Sequence, residues 1–440
     1  MSEGKLTVGI YTLGCKVNQY ESEAIAEALT EKGFEVVTGG KHCDIAIINT
    51  CTVTAESDRK CRQLIRRITG ACEDTYVIVT GCLSQTSPSK VAEIKGVDYV
   101  CGNSRKLSAV DAAVAFAEKH RKHAPRIEVD DIFSAPFEPM SIKKFDRTRA
   151  YVKIEDGCEN RCSYCIIPAA RGKVRSKRPE DVIREVDGLV KSGCREIVLT
   201  GIETASYGKD LEQADLASLL ESVDRLGCER IRLGSLDPSL IKEKFVSRIA
   251  SLKSLTPHFH LSLQSGSDRV LALMRRKYNS KMAFECMERL RAAIPNVMFT
   301  TDIIVGFPGE TEEDFAATVE FVKKARFLSA HIFPYSKRSG TAAAEMGGHL
   351  PNDVKNRRSA ELIALQAAVR KDILSNEISS KKEYNVLFET YSDGYAVGHT
   401  PSFIEVAVKS SRPMHSEIRR VRLIALESSG KDIRCIGELI

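Results

Sequence analysis

The sequence predicts a multidomain α/β protein. A doubly wound parallel α/β domain covers residues 1–120, a linker 121–147, a partial (βα)6 barrel 148–375 and a small all-β barrel 376–440. Three observations predict it. Short apolar runs alternate with amphipathic stretches through the first hundred or so residues, the rhythm of βα units around a parallel sheet. That rhythm restarts after Arg149 and runs for six units, too few for a closed eight-fold barrel. Beyond Ser380 the pattern turns to period two broken by turns, as in antiparallel strands.

Each element follows in order. "TVGIYTLGC" reads as a strand and "ESEAIAEALTEKG" as a helix closed by Gly33. "CDIAIINTC", "TYVIVTGC" and the shorter "VDYVCGN" are further strands, with "SDRKCRQLIRRI" a helix after the first of these. The linker mixes proline, charge and isolated aromatics and is expected to pack on a neighbour. The barrel strands are "AYVKIED", "REIVLTG", "RIRLGSL", "HFHLSLQ", "MFTTDIIVGF" and "AHIFPYS". Glycines and polar residues gather at their carboxyl ends, at Gly201, Ser235, Gln264, Gly306 and Tyr335, where βα barrels place functional groups. A long amphipathic helix at 352–375 leads into the β domain.

Composition is that of an ordinary globular chain, 43% hydrophobic and 28% charged over 440 residues. Lys and Arg exceed Asp and Glu by 65 − 59 = 6, too little to indicate a nucleic-acid partner by itself. There is no basic leader followed by an apolar core, and no apolar run near the ~18 residues of a membrane span. The expectation is a soluble, cytoplasmic monomer with no membrane partner. Fourteen cysteines are too few for a disulfide scaffold and read as metal ligands, catalytic thiols or core residues. Cys194, Cys228, Cys286 and Cys435 read as small buried hydrophobes.

Two cysteine sets stand out. "GCENRCSYCIIP" places Cys158, Cys162 and Cys165 in the order C-x3-C-x2-C just after a strand. Three thiolates are an incomplete set for zinc or for an iron–sulfur cluster. Either a remote fourth ligand completes a zinc site, or a cubane keeps one iron for a non-protein ligand such as an amino-acid head group. "YTLGC", "IINTC" and "IVTGC" put Cys15, Cys51 and Cys82 at the carboxyl ends of three strands. In a parallel sheet those ends share an edge, where helix N-termini stabilise thiolates. Three unconnected buried cysteines are the alternative, and spacing leaves Cys101 open as a fourth ligand. Cys43, Cys61 and Cys72 lie off this pattern and read as structural. Two basic runs follow these cysteines: Arg59, Lys60, Arg62, Arg66 and Arg67 in one, Arg171, Lys173 and Arg175 in "RGKVRSKR". Either neutralises phosphates or is simply a solvated face.

The C-x3-C-x2-C loop at the first strand of a six-unit βα barrel, with Tyr164 before its last cysteine, resembles the radical S-adenosylmethionine enzymes. The resemblance implies a 4Fe–4S cluster on Cys158, Cys162 and Cys165 whose open iron takes S-adenosyl-L-methionine, cleaved to a 5′-deoxyadenosyl radical. The two cysteine sets with the C-terminal β domain resemble, over nearly the whole chain, the methylthiotransferases. That implies a second, auxiliary 4Fe–4S cluster on Cys15, Cys51 and Cys82, with Cys101 a bystander, and a C-terminal TRAM domain that binds RNA. "TLGCKVNQYESE", with Lys16-Val17-Asn18, is similar to the branch acting on threonylcarbamoyladenosine in tRNA; the isopentenyladenosine branch carries Gln-Met-Asn there. "SLQSGSDRVLALMRRKY" and "TDIIVGFPGETEEDF" agree. Ala169 and Glu203 depart from the pattern, where an aromatic and an Asn or His are expected.

The implied reaction replaces the hydrogen on carbon 2 of the modified adenosine beside the tRNA anticodon with a methylthio group. Its implied partners are a tRNA anticodon stem-loop, a flavodoxin- or ferredoxin-like electron donor and a sulfur source. "LTGIET" resembles the glycine-rich segment contacting S-adenosylmethionine, so Tyr164, Gly201, Ser235, Gln264 and Asp302 are expected near it; turn and capping roles are the alternative for the polar ones. Lys16 is a candidate partner for RNA and for the threonyl carboxylate. In the β domain Tyr391, Tyr395, His399 and Phe403 are candidates for stacking on bases. A methylthiotransferase with another substrate, and a non-catalytic iron–sulfur or zinc RNA-binding protein, remain alternatives.

Overall fold

The computed structural model describes residues 5–37, 42–120, 122, 124–145, 147–429 and 432–440, and counts of elements refer to these. The start of the first domain at residues 1–4, where a leader was sought, and linker positions 121, 123 and 146 lie outside them.

The first sheet holds β1 (Thr7–Thr12), β2 (Glu35–Val37), β3 (Ile45–Thr50), β4 (Tyr76–Gly81), β5 (Tyr99–Cys101) and β6 (Arg126–Glu128), in the order β2-β1-β3-β4-β5-β6 and parallel throughout. Its helices are α1 (Lys16–Glu31), α2 (Ala55–Ala71), α3 (Cys82–Thr86), α4 (Pro88–Ala92) and α5 (Ser108–Lys119). Side chains of a strand alternate between faces. Ile45 and Ile47 therefore pack with Tyr20, Ile25 and Leu29 of α1 and Ala109 of α5. Ala46 and Ile48 pack with Cys61, Ile65 and Ile68 of α2 and Val91 of α4. Burial on both faces is why these strands read as continuous apolar runs.

The linker is more ordered than the sequence suggests. Residues 126–128 add β6 to the sheet edge, Tyr99 pairing with Arg126. Three residues of charge, apolar and charge carry no periodic signal, so only the backbone pairing reveals the strand. Farther on, Glu138 accepts the backbone N–H groups of Lys106 and Leu107.

Six parallel strands form the second domain: β7 (Ala150–Lys153), β10 (Glu196–Thr200), β11 (Arg230–Leu233), β12 (His258–Gln264), β13 (Met298–Val305) and β14 (Ser329–Pro334). They lie in two sheets, β11-β10-β7 and β12-β13-β14, joined by parallel bridges Ile231↔Leu255 and Leu236↔Leu261 into an open barrel. An antiparallel clip of β8 (Glu155–Asp156) and β9 (Arg175–Ser176) brackets the cysteine loop and α6 (Ile167–Arg171). Helices α7 (Pro179–Lys191), α8 (Leu216–Asp224), α9 (Glu243–Ile249), α10 (Asp268–Leu273), α11 (Ser280–Ala293) and α12 (Glu312–Ala325) surround the strands. α13 (Asn352–Ser379) leads to a closed barrel of β15 (Glu383–Ser392), β16 (Tyr395–His399), β17 (Glu405–Lys409), β18 (Ile418–Ser429) and β19 (Asp432–Leu439).

This small barrel docks against the amino ends of the large barrel's strands. Arg149 pairs with Glu389, Arg230 donates to the carbonyls of Asn385 and His399, and Arg232 donates to that of Pro401. Phe403 is the apolar centre of the contact, stacked between His258 at 4.7 Å and His399 at 4.6 Å with Arg232 over its face at 4.7 Å. Among the described residues no helix is long and apolar enough to cross a membrane.

Candidate functional site

The three dispersed cysteines converge where β1, β3 and β4 end. Cys15 caps α1, Cys51 follows β3, and Cys82 is the first residue of α3. Gly81 makes the approach possible. Its φ is +100°, and a Cβ there would lie 2.4 Å from the Thr50 carbonyl oxygen. Cys15 and Cys82 lie within electrostatic reach of each other, and Cys51 within reach of both. Burial pushes the Cys51 thiol up.

Arg171, fully buried, reaches this set from the barrel domain. Its Nε donates to Cys82 Sγ at 3.3 Å, and its Nη2 donates to Asn18 Oδ1, which also accepts from Cys15 Sγ at 3.3 Å. Its other guanidinium bonds go to Glu21 at 2.6 Å and to Asp156. Lys106, Lys153 and Arg175 complete a buried network on those two carboxylates. Arg171, Lys106 and Lys153 hold Glu21 well below the usual carboxylate range despite its burial. Four cations around two carboxylates favour an anionic group at the cysteines.

This corrects the reading of Arg171 and Arg175 as candidates for RNA. Both are buried between the two domains, Arg175 donating to the Arg171 carbonyl at 2.7 Å. Sequence alone shows the charge of "RGKVRSKR" but not that the chain folds back through the clip. Lys173 is exposed. Arg59, Lys60, Arg66 and Arg67 form the solvent face of α2 with half-buried Arg62, but Glu56 and Asp58 on the same helix pair with Arg59, Lys60 and Arg62.

The second set lies on one loop. Gly157 precedes it with φ +88°, and a Cβ there would sit 1.8 Å from the Lys173 carbonyl oxygen. Backbone N–H groups of Asn160 and Ile167 point at the Cys158 and Cys165 sulfurs, while Arg276 Nη1 donates to Cys162 Sγ at 3.2 Å. Arg276 is held by Asp237 at 2.9 Å and by the Ser262 carbonyl. Burial pushes the Cys158 thiol up to about 12 and Cys165 to about 11, and a metal would displace those protons. Tyr164 meets Phe307 edge-on at 6.5 Å, behind the loop.

Among the described residues no three His, Cys, Asp or Glu converge tightly enough for a single metal ion. A cubane spreads its thiolates over separate corners and is anionic, so three cysteines with N–H and guanidinium donors at their sulfurs are a donor set that suits one. Beside the loop, Glu203 Oε1 and Thr204 Oγ1 are buried without partners, as a polar ligand requires. Asn160 donates to Glu203 Oε2 at 3.3 Å. Burial and neighbouring Asp237 push the Glu203 carboxyl up to about 7.

Gly201, just after β10, packs on Glu155; a Cβ would come 2.5 Å from its Oε2. Ser235 follows β11, and Gln264 ends β12 with φ +72°. Asp302, expected near S-adenosylmethionine, is not at a strand end. It lies inside β13, facing the lumen, paired with His260 Nε2 at 3.2 Å. Cys101 is buried, with Thr80, Ser108, Lys106 and Glu138 as its electrostatic neighbours. Cys61, which the spacing set aside, is the fourth thiol beside the first set. It accepts from Cys51 N and donates to Cys51 O, both at 3.3 Å. Phe403, with both ring faces covered, is not free to stack on a base. Tyr391 is exposed.

A cavity of about 870 Å³ runs through the barrel lumen between these parts. Gly14–Val17 line it from the first domain, Thr200, Gly201, Gly234 and Ser235 from the strand ends, and His399, Phe403 and Glu405 from the small barrel. The Cys15 and Lys16 side chains meet water through it. Burial and the charges of Arg232 and Arg149 push the Lys16 amine down.

Two family models match the chain: the radical SAM superfamily over residues 152–322 and an uncharacterized family, UPF0004, over residues 7–102. The threonylcarbamoyladenosine tRNA methylthiotransferase MtaB of Bacillus subtilis is 40% identical over 95% of this chain and 94% of its own. The MtaB of Thermotoga maritima is 37% identical over 99% and 98%. The tRNA-2-methylthio-N(6)-dimethylallyladenosine synthase of Carboxydothermus hydrogenoformans is 37% identical over 84% and 85%. Among solved structures, the radical S-adenosylmethionine methyltransferase TsrM of Kitasatospora setae, with cobalamin and a 4Fe–4S cluster bound, shares the fold. It has 18% identity, covers 77% of each chain and gives a TM-score of 0.56.

Proposed function

From the premise that this chain belongs to the radical S-adenosylmethionine tRNA methylthiotransferase family, we propose that it methylthiolates carbon 2 of N6-threonylcarbamoyladenosine beside the tRNA anticodon. One observation carries the reading. A single cavity is lined together by an auxiliary-set cysteine, by strand-end residues next to the C-x3-C-x2-C loop, and by cations from two domains. The threonylcarbamoyl branch is supported by the relatives of that name, which match nearly the whole chain, and by Lys16-Val17-Asn18 after Cys15.

A carbon-bound adenine hydrogen is beyond side-chain acid–base chemistry, so the reaction needs a radical. Cys158, Cys162 and Cys165 would hold a 4Fe–4S cluster that, with S-adenosylmethionine, would supply the radical, and Cys15, Cys51 and Cys82 would hold an auxiliary cluster carrying the sulfur, whose methyl group a second S-adenosylmethionine would provide. The protein holds and orients these groups. Arg276 and Arg171 donate to one sulfur of each set, the Glu21 network fixes one domain against the other, and the docked small barrel closes the cavity floor against water.

Anaerobic reconstitution should give about eight irons, four per cluster. With reductant, S-adenosylmethionine and tRNA it should release 5′-deoxyadenosine and form the methylthiolated threonylcarbamoyl nucleoside by mass spectrometry. Methylthiolation of isopentenyladenosine instead would replace the substrate assignment; zinc, or no cleavage, would remove the enzymatic reading.

A further inference from the structure

Two cations, Lys16 and Arg232, line the lumen cavity, and neither has its charge fully met among the described residues. Arg232 is third in β11 and 2% exposed. Its Nε and one terminal nitrogen bond Glu196, but its Nη1 is buried without a partner. Lys16, from the first domain, lines the same cavity. Among the described residues its amine forms neither an ion pair nor a hydrogen bond, and it feels Arg232 most strongly, then Arg149. The carboxylate acting on it, Glu196, is already shared by Arg149, Arg230 and Arg232. Of the other acids lining the cavity, Asp302 is held by His260, and Glu405 belongs to the small barrel's edge. His258 and His399 lie beside Phe403, and burial with Arg232 nearby holds His258 neutral.

A buried guanidinium nitrogen with no acceptor is costly, and a second cation lining the same cavity raises that cost unless an anion joins them. A planar carboxylate suits the pair: guanidinium N–H groups meet carboxylate oxygens in a fixed fork, and the ammonium adds a point charge. We propose that Lys16 and Arg232 form a carboxylate receptor inside the lumen that selects an adenosine whose N6 substituent carries an anion. It rests on the threonylcarbamoyl reading and explains how the same scaffold rejects an apolar isopentenyl group. That group would leave the buried Arg232 Nη1 unpaired and Lys16 with only water, whereas the threonyl carboxylate satisfies both.

The test uses the reconstituted holoenzyme and two anticodon stem-loops, one with threonylcarbamoyladenosine and one with its carboxylate blocked as the methyl ester. A charged hydrogen bond contributes about 1.5–3 kcal/mol, so wild type should bind the acid roughly ten- to a hundredfold more tightly than the ester. Lys16→Met should bring the two affinities close together, Lys16→Arg should keep most of the gap, and the loss should appear in KM more than in kcat. Arg232→Gln, checked for an unchanged melting temperature, should also narrow the gap. Equal binding of acid and ester by wild type overturns the receptor, as does a Lys16→Met gap as wide as that of wild type. If wild type modifies the acid RNA with the gap unmoved, the receptor fails and the function stands. If wild type modifies only isopentenyl RNA, the functional reading itself fails.

Discussion

Cys158, Cys162 and Cys165 ride on one eight-residue loop, whereas Cys15, Cys51 and Cys82 come from three strand ends of a different domain. The loop set takes its donors from its own backbone and from Arg276, inside one barrel. The dispersed set exists only if the parallel register holds, and its guanidinium arrives from the neighbouring domain. One site is local to a segment; the other is a product of two domains docking. The second should therefore be the more sensitive to distant changes.

The largest effects separate the sets chemically. Cys158→Ala and Cys51→Ala should each abolish methylthiolation and each lower iron from about eight to about four. Only Cys158→Ala should also stop release of 5′-deoxyadenosine. If Cys51→Ala stops it too, the two sites are not separable and the comparison breaks.

The next effect tests docking. Glu21 accepts from Arg171, Lys106 and Lys153 with all four groups buried. Glu21→Gln leaves three cations short of a counter-charge, which should cost about 3–5 kcal/mol in urea unfolding. The auxiliary irons should be lost before the loop set's. Asp181→Asn, which removes an exposed pair with Arg184, should cost about 0–1 kcal/mol. Because Glu21 is held well below its ordinary range, its contribution is present above about pH 4.5 and fades as pH falls through the folded value.

Glu203 carries the opposite sign. Its carboxyl is raised to about 7, so the folded protein holds a proton that the unfolded chain gives up near pH 4.5. Wild type should thus lose stability as pH rises from about 4.5 through 7, and Glu203→Gln should not. The difference, measured on the metal-free protein, should grow by about 2.5 kcal/mol between pH 5 and 8. A flat difference would mean that the polar groups beside the loop are already satisfied.

These contrasts also explain what the sequence could reveal. The loop set is legible because its chemistry is written in consecutive residues. The strand-end set is legible because the LGC, NTC and TGC endings repeat. What completes each site comes from far along the chain. Arg171 lies 89 positions from Cys82 and Arg276 lies 114 from Cys162, and no periodicity links them. The cavity floor left one missed signal. In "RIRL" two arginines stand two apart inside a buried strand, so both share one face, an unusual burial for charged side chains. The three-residue β6 and the thiol of Cys61 on the Cys51 backbone depend on tertiary approach and left no signal.

The smallest effect concerns a cysteine outside both sets. Cys72 ends α2, at the edge of the sheet opposite the strand ends that carry the dispersed set. Its sulfur lies 3.0 Å from His42 Nε2, and with the Asp74 backbone N–H and Thr75 this lowers the thiol to about 7. Burial instead raises Cys61, Cys194, Cys286 and Cys435 to about 12. Since the thiolate is the nucleophile, iodoacetamide should label Cys72 first, with a rate half-maximal near pH 7, while those four stay unlabelled in the folded protein. Cys72→Ser should leave iron content and methylthiolation unchanged, because among the described residues Cys72 bonds His42, Asp74 and Thr75 and neither triad. A fall in auxiliary iron in this variant would show that the dispersed set senses the whole sheet, extending its dependence on distant structure well beyond the docking face.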